Sequence, residues 1–455
     1  MATELLLGLT FFLLLLLFPF AAPAREVPLS SCSAQIEAVS EKRNSSGLYL
    51  TLHHPRSPCS PAADLRNLPF SEVLHHESRR VASLSHRLQR GATAATATTA
   101  AVSVPLTQGT ALGVGNYIAR IGLGTPAKFA SVIVDTGSSL SWVQCSPCKM
   151  SCHKQRDPIF NPAASSTYRP LPCSATECSE LQSATLNPSA CSRSATCIYE
   201  ATYGDSSFSL GYLSKDKLSF SGSGALAGFT FGCGEDNEGL FGETAGIVGL
   251  AKNKLSLLSQ IAPVYGNSFS YCLPTSSGVG FVSFGGYRSS EFSFTPMATS
   301  SLDKTLYFLK LTGITVARKS LAVSESVYAG TPTIIDSGTV ITRLPEAAYA
   351  ALSKAVVAAI GGKRPRAPPY SILDTCYRGI VAGLPVPEVE LVFAGGATVR
   401  LSARNVMIDV KGGTTCLAFA AAGGVAIIGN RQQQTFKVVY DVGSQKIGFA
   451  ANGCG

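Results

Sequence analysis

Apolar residues change their spacing several times along this chain, and each change predicts a different kind of element. Leu5 to Phe20 form one predominantly apolar block, and Ala22-Pro23-Ala24 follow it. The block is short of the ~20 apolar residues a spanning helix needs. With its small-x-small ending it predicts a cleaved leader over residues 1–24, although Glu4 and the lack of Lys or Arg before the block are atypical. Around Glu72 to Gln89, Leu74, Val81, Leu84 and Leu88 recur at helical spacing, with Arg79, Arg80, Arg87 and Arg90 around them. The Ala/Thr run Gly91 to Ala101 then predicts a loose linker. From Asn116 the pattern becomes short strands and turns. Tyr117 to Ile121 predicts a strand, Gly122-Leu123-Gly124-Thr125-Pro126 a turn, and Ser131 to Val134 a buried apolar strand.

That last strand runs into Asp135-Thr136-Gly137-Ser138-Ser139. The arrangement returns later, where Thr333-Ile334-Ile335 runs into Asp336-Ser337-Gly338-Thr339. Each copy has a later partner of two branched apolar residues and a glycine, Ala245 to Leu250 after the first and Val425 to Asn430 after the second. One Asp-hydroxyl-Gly is an ordinary turn or cap signal. Two copies at strand ends, each with its own partner, predict two homologous halves.

The residue types suit a carboxylate dyad of Asp135 and Asp336. Gly137 and Gly338 allow a tight turn in which main-chain N–H groups approach the carboxylates. The hydroxyls of Ser138 and Thr339 can hydrogen-bond an outer carboxylate oxygen. Two carboxylates at ~4 Å repel by roughly 4 kcal/mol at an effective dielectric of ~20. They therefore share a proton. The ionised member can activate a water while the protonated member polarises a carbonyl. Tyr203, in Tyr203-Gly204-Asp205, falls at a hairpin-turn signal, and Trp142 reads as structural support.

Composition narrows the class. Hydrophobic residues make up 45% and charged residues 14%, which is globular, while 43 glycines and 25 prolines favour strands and turns. The formal charge is +9, of which +7 falls after Gln108, and no dense basic tract concentrates it. Nucleic acid is therefore not an expected partner. Twelve of the fourteen cysteines lie between Cys145 and Cys454. A zinc site at Cys145, Cys148 and Cys152 lacks a second half of suitable spacing, so disulfides and an oxidising compartment are expected. The sequon Asn44-Ser45-Ser46 lies before Gln108.

At the duplicated motif, from about Gly115 to the C-terminus, the chain resembles the pepsin-like aspartic endopeptidases. The interval holding Cys145, Cys148, Cys152, Cys173, Cys178, Cys191 and Cys197 is similar to the cysteine-rich insertion of plant nepenthesin-like enzymes. Phe269 to Pro274 and Asn430 to Gln434 look like that plant group too, including the branch named for chloroplast nucleoid DNA binding. The resemblance implies an all-β dominated, bilobal fold with a cleft between two homologous lobes. The basic helical stretch and loose linker read as a removable pro-segment over residues 25–108, and the resemblance assigns 109–300 to the N-terminal lobe and 301–455 to the C-terminal lobe. Asp135 and Asp336 would be catalytic, Gly137, Ser138, Gly338 and Thr339 would support them, and Tyr203 would be the flap tyrosine. Cys376 would pair with Cys416. Asn430 departs from the aspartate frequent at that place. A monomeric, secreted endopeptidase without cofactor, metal or stable membrane anchor is implied, in the apoplast or alternatively the vacuole. Its partners are peptide or protein substrates. The basic helical stretch is expected to fill the cleft against acidic groups. The competing readings are a catalytically silent binding or inhibitor protein and a plastid DNA-binding protease.

Overall fold

The structure, a computed structural model, describes Cys32 and residues 48–61, 69–94, 116–203, 207–220, 224–239, 241–301 and 303–454. The expected leader, the Asn44 sequon, most of the Ala/Thr linker and the Gly204-Asp205 turn lie outside those residues.

Two described elements precede Asn116. Strand β1, Leu48–His53, alternates so that Leu48, Leu50 and Leu52 are buried. Helix α1 spans Phe70–Ala94. It runs past Gln89 into the Ala/Thr tract, because alanine is the strongest helix former and keeps the hydrogen-bond ladder going. Its buried stripe reads Val73, Leu74, Glu77, Leu84 and Leu88. An acidic residue thus interrupts an apolar face at the same helical spacing.

In the first half, β2 (Tyr117–Leu123) pairs antiparallel with β3 (Lys128–Asp135), from Tyr117↔Val134 to Leu123↔Lys128. Val132, Ile133 and Val134 are all buried, so β3 is covered on both faces. Strand β4 is Trp142–Gln144. Strands β5 (Cys197–Thr202) and β6 (Phe208–Phe220) make a hairpin closed by Thr202↔Phe208. Long strand β7 (Gly224–Glu238) follows, then short β8 (Gly246–Gly249), β9 (Ser268–Cys272) and β10 (Val279–Phe284). In the second half come β11 (Thr333–Ile335), β12 (Thr342–Leu344) and β13 (Ala426–Ile428). The chain ends on β14 (Lys437–Asp441) and β15 (Lys446–Ala450).

The sequence repeat is a repeat of topology. Strand β8 runs parallel to β3, setting Gly249 opposite Asp135, and antiparallel to β4. Strand β13 runs parallel to β11, setting Ile428 opposite Ile335, and antiparallel to β12. In each half the strand that ends in aspartate is therefore clamped by the later apolar-apolar-Gly strand.

A shared sheet joins the halves, in the order β15, β14, β9, β10, β1, β2. Phe269 on β9 stacks on Tyr440 of β14 with ring centroids 4.5 Å apart. Strand β1 pairs along its whole length with β10, from Leu48↔Phe284 to His53↔Val279, but is in ladder register with β2 only at His53↔Ile118. All cysteines are disulfide-bonded. Cys145 pairs with Cys233 and Cys148 with Cys152, so the C-x-x-C is consumed in two bridges. Cys376 pairs with Cys416, as the resemblance implies. Cys272–Cys454 ties the chain end to β9.

Candidate active site

Asp135 terminates β3, and Asp336 follows β11 directly. Both are about 1% exposed, at the base of a cleft where the two halves meet. The turns after them hold each carboxylate from behind. The Gly137 N–H donates to Asp135 Oδ1 at 3.0 Å, and the Gly338 N–H donates to Asp336 Oδ1 at 3.1 Å. Both positions need glycine for a spatial reason. A Cβ on Gly137 would lie 3.1 Å from Asp336 Oδ1 and 3.5 Å from Asp135 Oδ1. One on Gly338 would lie 2.8 Å from Asp135 Oδ1. At both positions the Arg80 guanidinium lies closer still, and at Gly338 the Asp135 carboxylate alone leaves too little room for a methyl group.

One side chain bridges the pair. The Arg80 Nη2 donates to Asp135 Oδ1 at 2.7 Å and to Asp336 Oδ1 at 2.9 Å, while Nε reaches Asp336 Oδ2 at 3.0 Å. Helix α1 thus lies in the cleft, and the single positive charge of Arg80 is shared between both acids. Burial pushes the Asp336 carboxyl up, but Arg80, the Thr339 hydroxyl and the Gly338 N–H together hold it below the usual carboxylate range.

The amino-acid sequence carries the same signature when compared with known proteins. The family models described as xylanase inhibitor N-terminal and xylanase inhibitor C-terminal match residues 117–286 and 306–451. The chain is 41% identical to an aspartyl protease family protein of Arabidopsis thaliana, over 93% of this chain and 90% of that one. It is 33% identical to the aspartic proteinase nepenthesin-2 of Nepenthes gracilis, over 93% of this chain and 97% of that one. The chain belongs to the pepsin-like aspartic proteases. The crystal structures of edgp and of soybean basic 7S globulin match at TM-scores of 0.60 and 0.59, each at 21% identity. They cover 74% of this chain and 92% and 93% of their own, and at that identity they show the shared fold.

Within this family member the other expected residues fall as follows. Thr339 Oγ1 donates to Asp336 Oδ2 at 2.7 Å. Ser138 differs: its buried hydroxyl has no hydrogen-bond partner among the described residues, and Arg80 Nη1 sits 3.4 Å from Asp135 Oδ2 instead. The guanidinium thus stands on the outer oxygen that the serine was expected to serve. Tyr203 lies at the tip of the β5–β6 hairpin, where its N–H donates to Ser207 O at 2.8 Å. Its hydroxyl accepts from Trp142 Nε1 at 2.8 Å, and Phe241 packs edge-on against both rings. The lone tryptophan is therefore the post on which the hairpin rests.

Sequence reasoning missed four residues. The Thr136 hydroxyl accepts from the Ser337 N–H at 2.9 Å and lies 3.2 Å from the Ser337 hydroxyl, so the middle residues of the two motifs lace the two turns together. Their signal was present, a hydroxyl in the second place of both copies. Glu77 accepts from the Val340 and Ile341 N–H groups at 2.8 and 3.1 Å and from Arg343 Nη2 at 2.9 Å. Asp303 receives Arg87. Glu77 lies on α1 and Asp303 far from any motif, and only the folded cleft brings Glu77 to the turn after Gly338 and Asp303 to the helix.

Proposed function

We propose that this protease is a secreted endopeptidase made in a latent form. Its dyad would be Asp135 and Asp336, supported by Gly137, Gly338, Thr339 and, once Arg80 has left, Ser138. In this reading residues 1–24 are a leader, 25–108 a removable segment, 109–300 and 301–455 the two lobes. The observation that carries it is one guanidinium shared by two buried carboxylates at the junction of two duplicated turns. A pair that binds one cation so closely is too close for both members to stay ionised without it.

When the segment departs, the dyad can hold a water between its carboxylates. The ionised aspartate takes the water proton as the oxygen attacks the scissile carbonyl, and the protonated one donates to the developing oxyanion. The proton then passes to the leaving amine. The Tyr203 hairpin would close over an extended peptide. Seven disulfides fit an oxidising destination, the apoplast or alternatively the vacuole. We expect a monomer acting on peptide or protein substrates.

The competing reading, a silent binding or inhibitor protein, is favoured by the names of the matched family models. The two readings separate in one assay. Asp135→Asn and Asp336→Asn should each abolish peptide cleavage by the processed protein, whereas near-normal hydrolysis by either variant refutes the dyad.

A further inference from the structure

Helix α1 fills the cleft with more than Arg80. Seven residues on, about 10 Å along the helix axis, Arg87 inserts a second guanidinium into a separate polar socket. Its Nε donates to Asp303 Oδ2, its Nη2 to Thr305 Oγ1, and its Nη1 to the Gly137 carbonyl at 3.2 Å. The socket is built. Asp303 and Thr305 are buried, and Asp303 Oδ1 is fixed by the Thr305 N–H at 2.8 Å and the Thr305 hydroxyl at 2.7 Å. Its three acceptors meet the three nitrogens of a planar fork, which a point-charge ammonium cannot satisfy together. The nearby Lys252 feels the Asp303 charge but forms no ion pair with it among the described residues, where Asp303 pairs with Arg87. The Lys252 N–H donates to the Thr305 carbonyl, and its ammonium stands 5.7 Å from the Tyr307 ring centroid.

The socket abuts the dyad, since Gly137 uses its N–H on Asp135 and its carbonyl on Arg87. We propose that Asp303, Thr305 and the Gly137 carbonyl form a guanidinium-recognising subsite of the open cleft, and that the protease selects substrates with arginine there. This rests on the proposed proteolysis and on departure of α1, for which Arg87 is the resident stand-in. An extended peptide advances about 3.4 Å per residue. The selected arginine therefore sits within about three residues of the scissile bond.

The test uses the acid-processed protein and a peptide series carrying arginine, lysine or citrulline at each of three positions on either side of the cleaved bond. At one position kcat/KM for arginine should exceed that for citrulline about ten- to a hundredfold, with lysine between. Asp303→Asn should bring the arginine-to-citrulline ratio close to one, and Asp303→Arg should invert it, citrulline then being cleaved faster than arginine. Pepstatin binding shows that each variant keeps a folded dyad. If Asp303→Asn does not fold, Thr305→Val carries the test by narrowing the arginine-to-lysine gap. Equal arginine and citrulline rates at every position, or a preference untouched by these variants, overturns the subsite. Failure to cleave any peptide, citrulline ones included, instead overturns the proteolytic reading.

Discussion

Replacing Arg80 by alanine tests the latent state at its centre. Its guanidinium donates to both dyad carboxylates, its side chain is 21% exposed, and each aspartate side chain is 2% exposed. Removing one partner of a buried ion pair costs about 3–5 kcal/mol, because the remaining charge is left uncompensated. Here the two stranded carboxylates can share a proton, which recovers part of that cost, so the lower end applies. A loss of about 3 kcal/mol shifts the balance between covered and open cleft by roughly a hundredfold. The assay is hydrolysis of a fluorogenic peptide by uncleaved full-length chain, with gel analysis proving that residues 25–108 are still attached. Arg80→Ala should show roughly a hundredfold more turnover than wild type at near-neutral pH. Arg79→Ala, at a residue that makes no ion pair with the dyad, should match wild type. If uncleaved Arg80→Ala is as silent as wild type, Arg80 is not what holds the cleft shut.

Three further outcomes follow from the same geometry. Gly338→Ala places a methyl 2.8 Å from Asp135 Oδ1, a contact that remains after Arg80 has left; it should abolish turnover by the processed protein without lowering its melting temperature by more than a few degrees, as calorimetry would show. Thr136→Val removes the link to the Ser337 N–H, leaving a buried donor at a cost of about 1–3 kcal/mol, and denaturant unfolding should register that loss. His53→Gln with His54→Gln should move the onset of acid activation to lower pH, read as the pH at which the full-length chain begins to cleave peptide.

Much of this site is legible in the amino-acid sequence. The duplicated Asp-hydroxyl-Gly and the branched pair before each later glycine carry the pseudo-symmetric strand clamps, because side-chain chemistry and strand pattern coincide there. The stripe through Leu74, Leu84 and Leu88 predicts α1 itself. What it could not convey is which arginine meets which acid. Arg79, Arg80, Arg87 and Arg90 are equivalent in composition, and only the rotation of the helix on the cleft floor selects Arg80 and Arg87. Strand β1 was unreadable for a related reason. Six residues become a strand by pairing with β10, about 230 residues later in the chain, and nothing local announces that partner. Ser138 shows the reverse case, a motif residue whose expected contact is displaced by a group from outside the motif.

The pH response of the covered cleft depends on groups of opposite sign. Burial pushes His53 down to about 4, and burial with the nearby Arg56 and Arg431 pushes His54 down to about 3. Docking of β1 and of His54 just after it therefore holds both imidazoles neutral. Their contribution to docking is complete above about 6.5 and is lost as the pH falls toward those values. At pH 5 each histidine has lost about 2 kcal/mol of it, somewhat less for half-buried His54. Asp336 acts in the same sense: Arg80 holds its carboxyl low, so its share persists above the ordinary carboxylate range and disappears as acid protonates it. Glu77 opposes them. Burial raises it to about 7 despite Arg343 and the Val340 and Ile341 N–H groups, so the docked state takes up a proton there and gains stability as the pH falls. That gain is about 2–3 kcal/mol at pH 5 and saturates near the ordinary value of 4.5, while the losses at the histidines and Asp336 continue. The two sides are nearly even near pH 6, and by pH 5 the histidine losses exceed the Glu77 gain by about 1 kcal/mol, so the balance tips toward release below about pH 6. Glu77→Gln should therefore raise the pH at which the full-length chain becomes active. An activation profile unchanged by that variant would mean that the helix leaves without Glu77 taking up a proton.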